Sequence, residues 1–201
     1  VMKEVLRWER SYGCDVLALQ ECEGAEPLSE LADKFEFAGS AEASETRGFV
    51  HLYVWRGGGF EALTLEGSGP SVAVRVRPSE VGDDARLAIG AVHLPSGDSS
   101  GKRTKIMTQL ADELGGEDSV MILGDMNMKD DELADLCKKL RLREARYADV
   151  SFGVSGNRFD HRLPKRGFGH RYDRVLYGKR VWAESHLVGN GPVCFDGSEF
   201  H

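Results

Sequence analysis

The chain has no long apolar run, no close pair of cysteines and no overall excess of basic residues. A membrane-spanning helix needs about 20 consecutive apolar residues, and we expect no membrane span because no segment approaches that length. The four cysteines are far apart and form no C-x-x-C motif: they are Cys14, Cys22, Cys137 and Cys194. We therefore expect no zinc site, and free thiols in a reducing intracellular compartment, the nucleus or the cytoplasm.

The net charge of −7 argues against a protein that coats nucleic acid with a basic surface. One segment, from residue 158 to residue 180, departs from this balance. Its acidic residues are Asp160 and Asp173, whereas its basic residues are Arg158, Arg162, Lys165, Arg166, Arg171, Arg174, Lys179 and Arg180. A local basic surface suits an anionic substrate held at one place, although a solvated loop explains the charge equally well.

Length and composition fit one globular domain, residues 1–201, with 41% hydrophobic and 29% charged residues. Strand patterns occur at DVLALQ (15–20), FVHLYVW (49–55), SVAVRVR (71–77), LAIGAVHL (87–94), SVMILGD (119–125) and RYDRVLYG (171–178). Helical periodicity occurs in KEVLRWERS, EPLSELADKF, KRTKIMTQLADEL and DELADLCKKL. Because strands and helices do not alternate regularly, the pattern predicts a mixed α/β sandwich and not a doubly wound sheet.

Three of these strands end on polar side chains that hydrophobic patterning does not explain. Glu21 follows the first strand, His93 lies near the end of the fourth, and Asp125 and Asn127 end the fifth. Ligands collect at such strand ends because a sheet holds polar groups rigidly while loops admit the substrate. Carboxylates, an amide and an imidazole together can bind a hard cation and position water, and oxygen ligands favour magnesium or manganese over zinc.

Each of these residues also has a purely structural interpretation. Glu21 fits a charge that flanks a helix, and His93 fits a hydrogen-bonded core histidine. Asp125 with Asn127 fits an Asx turn after a strand. The joint occurrence of these polar residues at three strand ends favours the functional interpretation.

The motifs LALQE, GAVHLPSG, ILGDMN and RYDRVLY occur in this order between Asp15 and Tyr177. They resemble motifs of the endonuclease/exonuclease/phosphatase superfamily. The resemblance implies a four-layer α/β/β/α sandwich with two mixed sheets, and magnesium-dependent hydrolysis of phosphoesters, with manganese as a possible substitute. The family's first strand, with its metal-binding asparagine, and its closing S-D-H motif are absent from the chain, which suggests a fragment at both ends. The final S-E-F-H, ending at His201, does not match that motif.

The resemblance implies a role for each of five residues. Glu21 would bind the metal, and Asp125 would be the base that orients the attacking water. Asn127 would contact the scissile phosphate, His93 would lie near it, and Asp173 would be the partner of a catalytic histidine. Asp173 also fits a purely structural role, as the cross-strand partner of Arg171 or Arg174.

The segment GDMNMKDDEL resembles the G-D-x-N-L-R-D-x-E segment of the tyrosyl-DNA phosphodiesterase 2 family, which removes topoisomerase tyrosyl remnants from 5′ DNA ends. Lys129 replaces an arginine of that motif and so keeps the charge but loses the planar fork. Ser96 in HLPSG and the arginines Arg171 and Arg174 in HRYDRVLY match other motifs of that family. The resemblance favours 5′-tyrosyl-DNA ends as substrate, in DNA repair, with Lys129, Ser96, Arg171 and Arg174 as substrate-binding residues. The basic segment would then face a single-stranded DNA end.

Two alternatives remain open. The first is a phosphatase or a sphingomyelinase-like phosphodiesterase of the same superfamily, although no apolar membrane-docking hairpin is evident in the sequence. The second is a binding module that keeps the fold without turnover, because two family motifs are absent. An abasic-site endonuclease is disfavoured by the acidic MKDDEL that follows the G-D-x-N motif.

Overall fold

The computed structural model describes residues 14–43, 48–57, 60–66, 70–78, 86–114, 119–145, 152–153, 169–170, 172–183, 194–195 and 198–199. Its strands are β1 (Val16–Cys22), β2 (Phe35–Glu42), β3 (Phe49–Trp55), β4 (Phe60–Glu66), β5 (Ser71–Pro78), β6 (Leu87–His93), β7 (Val120–Asp125), β8 (Arg143–Glu144), β9 (Phe152–Gly153), β10 (Gly169–His170), β11 (Asp173–Tyr177), β12 (Cys194–Phe195) and β13 (Ser198–Glu199). Its helices are α1 (Ser100–Glu113) and α2 (Asp130–Leu140), with a 3-10 turn at Ser29–Leu31.

Two sheets form most of the described part of the chain, and two small two-stranded antiparallel sheets, β9–β10 and β12–β13, accompany them. The smaller sheet has the order β1-β3-β2 and is antiparallel. The larger sheet has the order β4-β5-β6-β7-β11-β8, and β6 and β7 form its parallel pair. Helix α1 connects those two parallel strands, because a parallel pair needs a long crossover.

Three apolar clusters define the layers. The first joins the larger sheet to the two helices and includes Met107, Leu110, Ile122 and Leu133. The second lies between the two sheets, where Leu52, Val54, Val72, Val74 and Val76 are buried. The third covers the outer face of the smaller sheet with Leu31, Phe35 and Tyr53. The order of layers is therefore helix, sheet, sheet and an outer apolar cluster, as an α/β sandwich requires.

Strand β3 shows why its sequence is apolar throughout. It is the central strand of the smaller sheet, so Val50, Leu52 and Val54 face the larger sheet while Tyr53 faces the outer cluster. A strand covered on both faces cannot alternate between polar and apolar residues. In β5, by contrast, the valines are buried between the sheets while Arg75 and Arg77 are partly exposed.

Most of the predicted elements are confirmed, and one is wrong. The strand at 49–55 has the predicted bounds, and the helices predicted at 102–114 and 131–140 are α1 and α2. The helix predicted in EPLSELADKF is wrong: it contains the 3-10 turn Ser29–Leu31, and β2 begins at Phe35. Leu28, Leu31 and Phe35 still pack on one side, against Tyr53, which explains the helical spacing. The helix predicted in KEVLRWERS lies outside the described residues.

In the part of the chain that the structure describes, no helix is both long and apolar enough to cross a membrane. Among the residues that the structure describes, Cys14, Cys22 and Cys137 form no disulfide bond.

Candidate active site

Three neighbouring strands bring His93, Asp125 and Asp173 to one end of the larger sheet. His93 of β6 is in register with Asp125 of β7, and Asp125 is in register with Asp173 of β11. Residues in register on adjacent strands point to the same face of a sheet. The Nε2 atom of His93 lies 3.7 Å from the Oδ2 atom of Asp125. Residues far apart in the sequence thus form one row of polar side chains.

Gly124 allows β6 and β7 to approach closely just before this row. Its φ is +135°, and a Cβ atom built on it would lie 2.0 Å from the carbonyl oxygen of Val92. No other residue fits a backbone at that distance, and a positive φ of this kind favours glycine. The glycine of the G-D-x-N motif therefore has a steric reason, because it keeps His93 and Asp125 next to each other.

Asp125 and Asn127 form a tight turn at the end of β7. The backbone N–H of Asn127 donates to Oδ1 of Asp125 at 2.8 Å, and its side-chain Nδ2 donates to the carbonyl oxygen of Leu94 at 2.8 Å. Asn127 adopts a left-handed conformation with φ +48°, which asparagine tolerates better than most residues. The Asx turn is thus present together with the row of polar groups. The bond to Leu94 uses only one of the two amide hydrogens of Asn127. The side chain is therefore held in place and can still donate a second hydrogen bond.

His93 is not a hydrogen-bonded core histidine among the described residues. Its side chain is almost completely buried, and its Nδ1 atom has no hydrogen-bond partner there. Buried polar atoms without a partner are rare and costly, and they concentrate where a ligand or a reaction needs them. The other ring nitrogen faces Asp125.

Glu21 reaches the same site from the smaller sheet. The β1–β3 register shifts between Leu19 and Cys22, and Glu21 lies in this bulge with a left-handed φ of +58°. Gly48 packs against the bulge, since a Cβ atom there would lie 3.0 Å from the Cα atom of Glu21. Strand β1 packs on β6 and β7, and Glu21 itself is exposed. The bulge therefore presents this carboxylate at the surface beside the end of β7.

The electrostatics of Asp125 link these residues. Burial raises the pKa of Asp125 above its ordinary value, and the negative charges of Asp173 and Glu21 raise the pKa further. The backbone N–H of Asn127 and the nearby His93 act in the opposite direction. Asp173 and Glu21 are thus each close enough to Asp125 to disfavour its charge, and a nearby cation would favour the charged form of Asp125.

The donor set fits magnesium better than zinc. Within the described ranges, no group of three or more His, Cys, Asp and Glu side chains converges closely enough to enclose a metal ion. Magnesium does not require such a cage, because it keeps several waters and binds through one or two carboxylates together with substrate phosphate oxygens. The exposed Glu21 is a carboxylate of this kind.

The four predicted substrate-binding residues have different positions. Ser96 is exposed shortly after His93, and Lys129 is exposed immediately before α2, so both lie on loops next to the row of polar groups. Arg174 does not reach that row. It is buried and ion-paired with Asp130, at 2.6 Å, and with Glu144, so its guanidinium is a structural group.

The prediction that Arg174 binds substrate is wrong, because the alternation of side chains along β11 turns Arg174 away from the row of polar groups. Asp173 is exposed and in register with Asp125, so the next residue of β11 points to the opposite face, under α2. Arg171 and residues 158–168 of the basic segment lie outside the described residues.

Sequence reasoning missed a second buried arginine, Arg103. It lies on α1 and forms a bidentate ion pair with Glu132 of α2, with distances of 2.9 and 2.8 Å. The sequence contained a signal for it, because Arg103 precedes Met107 by four residues and Leu110 by seven, on the buried stripe of the helix. A charged residue on such a stripe requires a partner.

Comparison with known proteins agrees with this architecture. No curated protein sequence matches the chain. Among solved structures, D. rerio TDP2 in complex with a single-strand DNA product has a TM-score of 0.62 at 16% identity, covering 89% of this chain and 76% of that one. The human Nocturnin catalytic domain with bound sulfate has a TM-score of 0.61 at 14% identity, covering 87% and 73%. A mannosyl-6-phosphatase from Bacteroides thetaiotaomicron has a TM-score of 0.63 at 12% identity, covering 88% and 76%. These likenesses support the α/β sandwich.

A family model described as the endonuclease/exonuclease/phosphatase family matches residues 1–198. The match covers both sheets and every residue of the candidate site. Members of this family are hydrolases that act on phosphoesters. The chain belongs to the endonuclease/exonuclease/phosphatase family.

Proposed function

We propose that the protein is a magnesium-dependent phosphodiesterase that acts on 5′-tyrosyl-DNA ends. The observation that carries the proposal is the row of His93, Asp125 and Asp173, with Glu21 electrostatically coupled to it from the other sheet. The substrate class is supported by the resemblance of GDMNMKDDEL to tyrosyl-DNA phosphodiesterase 2, and by the fold shared with D. rerio TDP2, which was solved with a single-strand DNA product.

The reaction requires a base and a means of neutralising the phosphate. Asp125 is the base in this proposal, since a carboxylate whose pKa is raised by burial is a better proton acceptor than an exposed one. Asn127 donates from its amide to a phosphate oxygen, and His93 offers an N–H group on the other side of Asp125. Glu21 would hold a magnesium ion, which when bound would supply Lewis-acid neutralisation of the phosphate charge.

The test is hydrolysis of a single-stranded oligonucleotide that carries a 5′-phosphotyrosyl group. We expect release of tyrosine with magnesium or manganese and none with a chelator. A matched oligonucleotide with a 5′-phosphate and a small phosphomonoester serve as competing substrates. Preference for the small phosphomonoester would favour a phosphatase, and absence of turnover with every phosphoester despite bound metal would favour a binding module.

Replacing Glu21 with glutamine is expected to raise the magnesium concentration needed for half-maximal activity by roughly tenfold, because a neutral amide is a weaker ligand than a carboxylate for a hard cation. The loss should be most visible at low magnesium. Activity is measured as a magnesium titration. Glu23→Gln is the matched control, since Glu23 is exposed two residues further on and does not act on the pKa of Asp125. An unchanged titration in Glu21→Gln would reject Glu21 as a ligand.

A further inference from the structure

Arg103 joins three segments that surround the candidate site. Its Nη1 atom donates to the carbonyl oxygens of Pro95 and Gly97, each at 2.9 Å. Its Nε and Nη2 atoms donate to the two carboxylate oxygens of Glu132. Only 4% of Arg103 is exposed, so this guanidinium has exchanged water for four protein acceptors.

The acceptors of Arg103 flank Ser96. This residue lies on the β6–α1 loop, Leu94–Ser99, and its own side chain is exposed while both neighbouring carbonyls are held from beneath. A single guanidinium that binds both carbonyls fixes the backbone on either side of Ser96. The exposed hydroxyl of Ser96 therefore lies on backbone that is held by hydrogen bonds on both sides, although the loop has no regular secondary structure.

The same guanidinium ties the β6–α1 loop to the segment that follows Asn127. Glu132 lies in the first turn of α2, directly after the β7–α2 loop, Met126–Lys129. The two loops are already joined at their beginning, where Asn127 donates to the carbonyl oxygen of Leu94. The Arg103–Glu132 pair joins them a second time at the far end, so two points fix one loop relative to the other.

We propose that Arg103 is a positioning residue that, together with Glu132, sets the distance between the two substrate-facing loops. It fixes the position of Ser96 on one loop relative to Asn127 and Lys129 on the other. This inference rests on the proposed function in one respect, that Ser96 and Lys129 contact the phosphoester substrate. The fork is essential because a lysine has a single nitrogen, which cannot bind both carboxylate oxygens of Glu132 and both carbonyls at once.

Arg174 provides a matched comparison. It is as deeply buried as Arg103 and also pairs with carboxylates, those of Asp130 and Glu144, but it lies behind the β7–α2 loop. Its Nη2 atom is 3.5 Å from the carbonyl oxygen of Met128. Loss of either arginine removes a buried cation, but within the described residues only Arg103, of the two, hydrogen-bonds to the β6–α1 loop.

The first test is amide hydrogen exchange in the full chain without substrate or metal. In Arg103→Lys we expect roughly tenfold faster exchange at Leu94 and Ser99, whose amides bond to Asp125 and Gly97, with no change in β3. In Arg174→Lys the increase should instead fall on the β7–α2 loop and the start of α2. Glu132→Gln is a milder second variant, in which the amide oxygen remains as one acceptor while the second becomes a donor. Equal effects of both lysine variants on the β6–α1 loop, or none, would overturn the proposal.

The second test is a double-mutant cycle on the Michaelis constant for the 5′-phosphotyrosyl oligonucleotide. Ser96→Ala should raise KM roughly fivefold in the wild-type background and hardly at all once Arg103 is lysine, because the hydroxyl is then no longer held in place. Additive effects would contradict a positioning role. If the wild-type protein hydrolyses no phosphoester, the proposed function fails, and the exchange pattern still decides whether Arg103 positions the loop.

Discussion

Asp125→Asn is expected to lower turnover at least about a hundredfold while the protein remains folded. The amide keeps the size of the side chain and can still accept the backbone N–H of Asn127, but it cannot accept a proton from water. Steady-state hydrolysis of the 5′-phosphotyrosyl oligonucleotide measures the effect. The control is Asp135→Asn on the exposed face of α2, which should retain full turnover. Near-normal turnover of Asp125→Asn would remove Asp125 from its role as the base.

The same substitution should make the metal-free protein at least as stable as the wild type at neutral pH. Burial and neighbouring carboxylates raise the pKa of Asp125, so the folded state binds its proton more tightly than the unfolded state. Wild-type stability therefore falls as pH rises through the window between the ordinary carboxyl pKa of 3.8 and the raised value, and it stays reduced above that window. Asparagine carries no charge and avoids this cost. Thermal unfolding in the presence of a chelator, at neutral and at acidic pH, measures the difference.

Gly124→Ala is expected to cost roughly 2–5 kcal/mol of stability, the sum of a positive φ and of overpacking. The added methyl would lie 2.0 Å from the carbonyl oxygen of Val92, and this atom belongs to backbone that cannot move aside without separating β6 from β7. For a domain of this size, the corresponding fall in Tm is roughly 4–20 °C. Thermal or denaturant unfolding measures it.

Gly101→Ala is the matched control for this substitution. Gly101 lies in the first turn of α1, and a Cβ atom there meets nothing within 4 Å. Alanine is the better helix former, so the control should be neutral or slightly more stable. If Gly124→Ala were as stable as the control, the close approach of β6 and β7 would not be needed.

Elements with unbroken patterns could be predicted from the sequence. The apolar run at 49–55 and the alternating valines at 71–77 each belong to a strand without an extra residue of its own, since the bulges in their pairings lie in the neighbouring strands β1, β2 and β4. Both are strands with nearly the predicted bounds. The helices α1 and α2 carry apolar stripes that face one cluster. In these cases local pattern and tertiary burial agree.

Two strands could not be predicted because bulges interrupt their alternation. The β2–β3 register shifts between Phe37 and Gly39, and the β4–β5 register shifts between Ala62 and Thr64. An extra residue exchanges the two faces of a strand, so the period of two is lost across it. Sequence periodicity in FEFAGSAE and FEALTLE therefore gave no strand signal, although both segments are paired along their length.

The polar residues of the candidate site could be predicted from their positions at strand ends, but the ion pairs of the arginines around it could not. His93, Asp125 and Glu21 each follow an apolar run, which the sequence displays directly. The roles of Arg103 and Arg174 depend on which face of α1 and of β11 is buried, and on carboxylates 29, 30 and 44 positions away in sequence. Their assignment therefore needs tertiary contacts.

The position of β11 between β7 and β8 has a consequence for the growing chain. During synthesis, β6 is made before β7, but the partner of the other edge of β7, residues 173–177, is made only later. At ribosomal rates that interval is roughly 3–10 s. Throughout it, the apolar VMIL of β7 is an unpaired strand edge that can recruit a second nascent chain. Ribosome-bound chains that stall within this interval are therefore expected to aggregate or to occupy chaperones, whereas chains in which residues 173–177 have emerged and paired with β7 are not.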